Sequence, residues 1–368
     1  MTGTAPPARR APSEPHDWKL SYNPALDGLR AVAISLVILS HAHVPHVEGA
    51  FFGVDLFFVL SGYLITSLLL IEIGQTGRID LWRFYRRRFF RLMPALLAFL
   101  AVYCLIAPWI WPGDGDWFQD AIVSGLYLAD YGIAFFDSPG SLLHMWSLSV
   151  EEHYYLLWPL ALLGLTVLMP RGTLWLPIAA LFLLAWVWRV FWVWEGQQFY
   201  EIFFRFDTRA TGLLAGSLLA ALRRDRPAWF QYLHAHARWG LGLILLAPLW
   251  IGLKWDDMGV MTWAMTLVEL TALALLLAVL PAPGKAVPQG GAYALLSHPV
   301  LVKIGQLSYA IYLWHYPIVR ALRAHLDWPW VVLLGGALSV LMAQLSWMTV
   351  ERWGRAWRDR KPLAAGRV

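Results

Sequence analysis

The chain has 368 residues, of which 59% are hydrophobic and only 14% are charged. A soluble domain of that composition would expose a very large apolar surface, so the soluble class is excluded and a polytopic membrane protein is predicted. The formal net charge of +5 comes without the basic and aromatic interleaving of a nucleic-acid-binding surface, so no nucleic acid partner is predicted.

The two ends of the chain are polar. Residues 1–24 are proline-rich and lack the apolar run of a removable signal peptide, so they are predicted to form a cytoplasmic tail, with the first span as the membrane anchor. Residues 25–351 are predicted to form one multi-helix membrane domain, and residues 352–368 a basic cytoplasmic tail. The one cysteine, Cys104, excludes a disulfide within the chain, and no metal site is predicted.

Apolar runs of about 20 residues predict an all-α integral membrane fold, a bundle of about ten transmembrane helices. These spans lie near residues 26–44, 50–72, 91–110, 147–168, 173–194, 208–222, 239–254, 260–280, 300–321 and 329–350. Residues 118–135 form a weaker apolar stretch, interrupted by Asp120 and Asp130. That stretch is expected to be a re-entrant or interfacial segment.

The basic residues give the orientation of the spans. Ten spans place both termini on one side, and that side holds 22 of the 29 lysines and arginines. Lysine and arginine concentrate on the cytoplasmic side of membrane proteins. We therefore expect a multi-pass protein of the cell inner (plasma) membrane, surrounded by lipid, with both termini in the cytoplasm.

The first span carries Arg30 and His41 within an otherwise apolar run. On a helix the eleven-residue separation places both side chains on one face, about 16 Å apart along the axis. Ionisable groups at membrane depth usually mark function. Asp27 lies one turn before Arg30 and is expected to pair with it. Two plain alternatives stay open, namely that Arg30 snorkels to lipid headgroups and that His41 is a packed core group.

An arginine-rich segment precedes the third span and includes Arg86, Arg87, Arg88 and Arg91. At helical spacing Arg87 and Arg91 share a face. The segment is consistent with a topogenic cluster that meets lipid headgroups. It is also consistent with a cradle for the phosphates of a nucleotide, because guanidinium forks suit phosphate oxygens, although the segment taken alone favours the topogenic interpretation.

Further polar side chains are concentrated at the ends and middles of later spans. The second span carries Asp55 near its outer end and the small residues Ser61 and Gly62, which favour close helix packing. The fourth span opens with two imidazoles and two carboxylates, although glutamates near a helix N-terminus also suit the helix dipole. The other candidates are His144, Trp146, Glu151, Asp207, Arg209, Tyr309 and His315.

Taken together, these motifs resemble the membrane-bound acyltransferase family 3. The resemblance rests on the spacing of Arg30 and His41, Gly-Val-Asp-Leu-Phe-Phe-Val-Leu-Ser-Gly-Tyr from Gly53, the arginine-rich run, Trp-Ser-Leu-x-x-Glu-Glu from Trp146, Ser-Tyr-x-x-Tyr-Leu-Trp-His from Ser308 and the terminal Val-Glu-Arg. Their order matches from Leu26 to Arg352. Met145, His153 and Tyr154 depart from the family pattern, and this leaves the acceptor open.

The resemblance implies an enzyme of the bacterial O-acyltransferase type that takes an acyl group, commonly acetyl, from cytoplasmic acyl-CoA and esterifies a hydroxyl, often on a sugar. It implies acyl-CoA as a co-substrate, with no permanently bound cofactor. His41 would be the catalytic imidazole, with Arg30 as its companion and Glu151 orienting an imidazole or the acceptor. Arg86, Arg87, Arg88 and Arg91 would bind coenzyme A. The chain is expected to lack the extracytoplasmic hydrolase-like domain of larger members.

The acceptor and the class of the protein are left with alternatives. The acceptor is expected to be a carbohydrate such as a cell-surface glycan, or alternatively a glycosylated small molecule such as a macrolide-type antibiotic. Asp27, Asp55, Ser61, His144, Trp146, Asp207, Arg209, Tyr309 and His315 are expected to support the site or to bind this acceptor. A proton-coupled transporter is a third reading, although the sequence contains no repeated halves. The oligomeric state is not indicated.

Overall fold

The computed structural model describes residues 21–237, 254, 256–286 and 290–358. Across these ranges the chain is helical, and no β-strand occurs in them. The first ten helices are α1 Pro24–His41, α2 Gly53–Thr76, α3 Leu81–Ile110, α4 Trp117–Gly125, α5 Ala129–Phe136, α6 Met145–Leu168, α7 Trp175–Trp194, α8 Phe199–Phe203, α9 Phe206–Asp225 and α10 Pro227–His236. The later helices are α11 Met265–Val279, α12 Gly291–Leu296, α13 Pro299–Gln306, α14 Ser308–Arg323, α15 Trp328–Met348 and α16 Val350–Arg358.

In the part of the chain that the structure describes, six helical segments are long and apolar enough to cross a membrane. They comprise α1, α2 with its preceding 3₁₀ turn, α3, α7, α11 with its preceding π turn, and α15. Other predicted spans coincide with the helices α6, α9 and α14, which carry charged side chains such as Glu151 and Arg209. The predicted span at 239–254 lies outside the described residues, Lys254 excepted. The all-helical architecture is therefore confirmed for the described residues, in which six segments meet the requirement for crossing. The number of about ten spans stays a prediction.

Local capping fixes where the first helices begin and end. The Asn23 side chain accepts a hydrogen bond from the Ala25 amide, and Pro24 opens α1 with a backbone that needs no amide donor. Asp80 caps α3 in the same way, through the Arg83 amide at 2.9 Å. The arginine-rich segment therefore forms the first turns of α3 rather than a separate loop element.

Helix α2 lies at the centre of the bundle. Two thirds (67%) of its most apolar stretch is buried inside the protein, compared with 11% for α7, which leaves α7 as a lipid-facing helix. The small residues predicted to allow close packing do so, because a Cβ atom at Gly62 would overlap the Leu213 carbonyl of α9. Gly216 approaches the Val59 carbonyl as closely from the other side. The α2–α9 contact thus depends on the two glycines.

The interrupted stretch at 118–135 folds into α4 and α5, and its two aspartates bind neighbouring parts of the protein. Asp120 accepts hydrogen bonds from the amides of Gly140 and Ser141, at 3.1 and 2.8 Å. Asp130 is fully buried and lies 3.0 Å from Nδ1 of His153 on α6. These contacts anchor the segment against the bundle.

Candidate functional site

Two cavities lie within the bundle, one beyond the other. The arginine cavity, of about 220 Å³, is lined by Arg30, Ser61, Arg88, Arg91, Glu151 and Tyr155. The histidine cavity, of about 570 Å³, is lined by His41, His43, Glu48, Trp146, Tyr316 and Arg323. Arg30 and His41 occupy one helix about 16 Å apart, so α1 presents its cation to one cavity and its imidazole to the other. Val54 and Tyr312 contribute to the walls of both.

A chain of hydrogen bonds sets the state of His41. Nδ1 of His315 lies 2.6 Å from the Tyr312 carbonyl oxygen, and Nε2 of His315 lies 3.0 Å from Nδ1 of His41. A carbonyl oxygen only accepts, so Nδ1 of His315 carries its hydrogen, and in the neutral ring Nε2 is the acceptor. His41 therefore donates from Nδ1. Its Nε2 is left with a free lone pair, the form in which an imidazole accepts a proton or attacks a carbonyl.

Aromatic side chains hold the His41 ring in place. Tyr316 meets His41 edge to face at 4.9 Å between ring centroids, and it also stacks on His144 at 4.8 Å. His144 is buried, and its Nε2 lies 3.3 Å from the Leu313 carbonyl. The three imidazoles are close, yet within the described ranges no group of three histidine, cysteine or acidic side chains is arranged to hold a metal ion.

Arg323 closes the other side of His41. Its Nη1 donates to the His41 carbonyl oxygen and lies 2.7 Å from Nε2 of His43. Burial and then the charge of Arg323 lower the pKa of His43 below its ordinary value. His43 is accordingly neutral near pH 7, with an Nε2 lone pair that accepts from the guanidinium. Arg323 thereby ties the end of α14 to the turn that follows α1.

The arginine cavity gathers three guanidinium groups from α1 and α3. Arg30 pairs with Asp27 at 3.5 Å, which confirms the predicted contact one turn apart. Arg88 pairs with Glu152 at 3.4 Å, and Arg91 lines the cavity. Of the other predicted phosphate ligands, Arg86 bonds the Arg358 carbonyl oxygen and Arg87 is exposed; neither is part of the cavity wall.

Glu151 lies in the arginine cavity and does not orient the His41 imidazole. Its Oε1 accepts a hydrogen bond from Ser61 at 2.5 Å and another from Tyr155 at 3.2 Å. The contact that orients His41 is made by His315 instead. The carboxylate is hydrogen-bonded in a different cavity from His41, so the structure does not place Glu151 against that imidazole. The other expectation, that Glu151 orients the acceptor, stays a prediction.

Asp55 and Arg209, predicted as supporting or acceptor-binding residues, belong to a buried charge network. Asp55 pairs with Arg209 at 3.1 Å, and Arg189 pairs with Glu269 at 3.7 Å. All four side chains are about 1% exposed or less. Met265 accepts from both arginines, at 2.8 and 3.0 Å. The charges of the two arginines and the two carboxylates cancel, and neither Asp55 nor Arg209 lines a cavity wall. The network therefore holds helices α2, α7, α9 and α11 together.

Of the remaining predicted residues, some line a cavity and others lie outside both cavities. Tyr309 lines the arginine cavity and donates to the Leu92 carbonyl oxygen at 3.1 Å. Trp146 lines the histidine cavity, and its ring lies 5.1 Å from the Arg209 guanidinium. Asp207 pairs with Arg205 and accepts from Trp188 at 2.6 Å, outside both cavities.

Several residues of the cavities and of the buried charge network were not predicted from the sequence. Tyr312 lies three residues before His315, and this helical spacing alone predicts a shared face. Arg323 was not singled out, because it was counted only as one of the basic residues outside the cytoplasmic side. The buried partners Arg189 and Glu269 come from distant helices, and no local pattern pairs them.

The chain matches a family model described as an acyltransferase domain over residues 23–348. It is 31% identical over 352 residues to a peptidoglycan O-acetyltransferase of Listeria monocytogenes, covering 91% of this chain and 56% of the relative. It is 32% identical over 358 residues to a Bacillus subtilis protein that bears the same name provisionally, covering 90% and 54%. A Staphylococcus aureus protein provisionally named an O-acetyltransferase is 30% identical over 358 residues, covering 90% and 57%.

The chain thus spans little more than half the length of the curated relatives it matches. No solved structure matches it.

Proposed function

We propose, from the premise that this chain belongs to the acyltransferase family whose domain it matches over residues 23–348, that it is a membrane-embedded O-acetyltransferase. In this proposal it moves an acetyl group from acetyl-CoA to a hydroxyl of a cell-surface glycan. The name of the Listeria relative makes peptidoglycan the first acceptor to test. The observation that carries the proposal is the imidazole of His41 on the wall of the histidine cavity, whose Nδ1 contact with His315 at 3.0 Å leaves the lone pair on Nε2.

The arginine cavity suits the thioester arm of the donor. Its volume of about 220 Å³ lies below the roughly 300–1,000 Å³ of pockets that enclose a drug-sized ligand, so it holds a slim chain rather than a nucleotide. Arg30, Arg88 and Arg91 supply guanidinium groups at its walls, and such groups bind phosphate oxygens well. In the proposal the nucleotide stays at the arginine-rich end of α3 while the arm extends into the bundle.

The histidine cavity suits the acceptor. It is the larger of the two, and its walls combine aromatic rings such as Trp146 and Tyr316 with the polar groups of Glu48 and Arg323. Sugars bind to such mixed surfaces through apolar faces and hydroxyl hydrogen bonds. A glycan hydroxyl in this cavity can approach Nε2 of His41 from the open side.

The reaction needs one lone pair at His41. As a base, Nε2 takes the proton of the acceptor hydroxyl while the hydroxyl oxygen attacks the thioester carbonyl. The carbon–sulfur bond then breaks, and the proton passes from the imidazolium to the departing thiolate. As a transient acyl carrier, the same Nε2 attacks the thioester carbonyl, the carbon–sulfur bond breaks and coenzyme A leaves as the thiolate. The acceptor hydroxyl then attacks the acyl carbon, the bond to Nε2 breaks and the hydroxyl proton passes to the thiolate. Both courses start from the tautomer that His315 imposes.

The His315 contact gives a first prediction. Replacing His315 by Gln keeps an oxygen acceptor for Nδ1 of His41, whereas His315→Leu removes the acceptor and frees the ring to change tautomer. We expect His315→Leu to lower kcat for acetyl transfer by about a hundred-fold, and His315→Gln to retain a measurable part of it. The pH dependence of kcat in the two variants checks the mechanism, because a purely structural role would not separate Gln from Leu once both proteins fold.

The arginines give a second prediction. Arg91→Ala is expected to raise KM for acetyl-CoA about ten-fold or more, since a lost charge-assisted hydrogen bond costs roughly 1.5–3 kcal/mol. Arg87→Ala, one turn away on the same helix but outside the cavity wall, should change KM by less than about three-fold. Steady-state kinetics with the two variants test this. Equal effects would show that the whole arginine run, rather than the cavity, binds the donor.

Acetyl transfer itself is tested with purified protein, radiolabelled acetyl-CoA and a peptidoglycan oligosaccharide. The proposal expects label in the oligosaccharide, together with a mass gain of one acetyl group. Uptake of a solute driven by protons, with no label transferred, would instead favour a transporter.

A further inference from the structure

The two cavities are separated by a wall whose position is the same on three helices. On α2 the lining changes at Val54, which faces both cavities, while Phe57 and Ser61 further along face the arginine cavity alone. On α6 it changes between Trp146 and Ser147. On α14 it changes at Tyr312. The wall is therefore one level of the bundle, with Val54 and Tyr312 as the side chains that touch both sides.

Tyr312 is the fixed half of this wall. Its hydroxyl lies 2.6 Å from Oγ of Ser147 and donates to the His144 carbonyl oxygen at 2.8 Å. Its ring contacts the rings of His144 and His315, at centroid distances of 5.6 and 5.1 Å. Moving Tyr312 would break these bonds and disturb the carbonyl that sets the His315 tautomer. The ring is consequently not free to swing aside.

Val54 is the other side chain that touches both cavities, and its size can be changed by substitution. It lies in the first turn of α2 and is 7% exposed. Its side chain has no polar atom to hold it, and its short branched shape can be reduced or enlarged by single methyl groups. Any passage between the cavities is thus bounded by a rigid ring on one side and an apolar side chain on the other.

We propose that Val54, set against Tyr312, determines which acyl groups reach His41. This inference rests on the proposed function, because it assumes that a thioester enters by the arginine cavity and reacts in the histidine cavity. The acyl group must pass the wall first, with the pantetheine arm following behind it. The part of the arm next to the sulfur, its cysteamine and β-alanine units, is an unbranched chain, and the branched pantoyl unit lies nearer the nucleotide. A gap that admits this distal part of the arm also admits linear acyl groups.

The passage past Val54 and Tyr312 excludes acyl groups that are branched. An isobutyryl group is wider than this distal part of the arm at its first carbon after the carbonyl, whereas a butyryl group is longer but no wider. The histidine cavity, at about 570 Å³, has room for the tail of either. Val54 therefore selects by width and leaves chain length to the larger cavity.

The test compares acetyl-, butyryl- and isobutyryl-CoA as donors for wild type and Val54→Ala. We expect Val54→Ala to raise the ratio of kcat/KM for isobutyryl-CoA to that for acetyl-CoA about ten-fold or more, as a hydrophobic site discriminates single methyl groups. The ratio of butyryl to acetyl should change much less. Val59→Ala is the matched control, because Val59 is buried in the same helix and is absent from both cavity walls.

A second variant keeps the test decisive if Val54→Ala fails to fold. Val54→Ile adds one methylene group and should lower kcat/KM for isobutyryl-CoA further while leaving the dissociation constant of coenzyme A unchanged. An active wild type whose Val54 variants keep the wild-type isobutyryl-to-acetyl ratio would overturn this inference alone. A folded wild type that transfers no acetyl group would overturn the proposed function, and this inference with it.

Discussion

Replacing His41 by Ala is expected to lower kcat for acetyl transfer by at least about a hundred-fold. The side chain supplies the lone pair that either takes the hydroxyl proton or carries the acyl group, and positioned bases contribute about 10²–10⁴ in rate. The affinity for acetyl-CoA should persist, because the guanidinium groups proposed to bind it line a different cavity from His41. Transfer of radiolabel and equilibrium binding of acetyl-CoA, measured on the same preparation, separate these two effects.

His325→Ala is the matched control for that experiment. His325 follows α14 at the same end of the bundle and is exposed, so its loss should leave both rate and binding near wild type. If His41→Ala and His325→Ala transferred acetyl equally well, His41 would be a packed core histidine and the mechanism would be wrong.

Replacing Asp55 by Ala is expected to destabilise the protein by about 3–5 kcal/mol. The change removes one partner of a buried ion pair and leaves Arg209, 1% exposed, without its counter-charge. Against a total stability of about 5–15 kcal/mol for a typical domain, such a loss should lower the melting temperature in detergent sharply. Thermal unfolding followed by fluorescence of the tryptophans measures it.

Asp207→Ala is the comparison for Asp55→Ala. Asp207 also pairs with an arginine, but its side chain is 29% exposed, so the cost should be on the order of 1 kcal/mol. Replacing the buried pair together, by Asp55→Leu with Arg209→Met, should recover much of the lost stability because no lone charge remains. An Asp55→Ala protein that melts like wild type but no longer binds acceptor would restore the acceptor role that the sequence suggested.

The sequence predicted the parts of the molecule that follow from local rules. Hydrophobic runs located the helices, since a span needs about 20 apolar residues whatever lies beside it. The i, i+3 spacing predicted the Asp27–Arg30 pair, which the structure confirms at 3.5 Å. The Ser61–Gly62 pair predicted close packing, and α9 fits against Gly62.

Contacts between residues on helices far apart in the sequence could not be predicted from these local rules. Asp55 and Arg209 looked like site residues because charges in a membrane usually mark function, yet they are 154 positions apart and neutralise each other. Glu151 looked like the partner of an imidazole, whereas Ser61 and Tyr155 occupy its Oε1. The side chain that contacts the His41 imidazole is instead His315, which lies 274 positions away in the sequence. Pairings of this kind depend on how helices are arranged around α2, which composition and periodicity do not encode.

The wall between the cavities was also beyond sequence reasoning. Val54 is one apolar residue among many in its span, and only the change of lining at the same level on α2, α6 and α14 distinguishes it. Tyr312 was one of several aromatic residues in a recognised motif. Its role follows from two hydroxyl contacts to the start of α6.

The central claim is that an acetyl group passes from the arginine cavity to an acceptor in the histidine cavity. Because the two cavities border opposite ends of α1, a candidate span, we propose that they open to opposite faces of the membrane. The most direct test uses sealed proteoliposomes that contain a peptidoglycan oligosaccharide, with membrane-impermeant radiolabelled acetyl-CoA added outside. Our account predicts label in the enclosed oligosaccharide, and none when acetyl-CoA and oligosaccharide are both outside. Equal labelling when the two substrates share one compartment would contradict it.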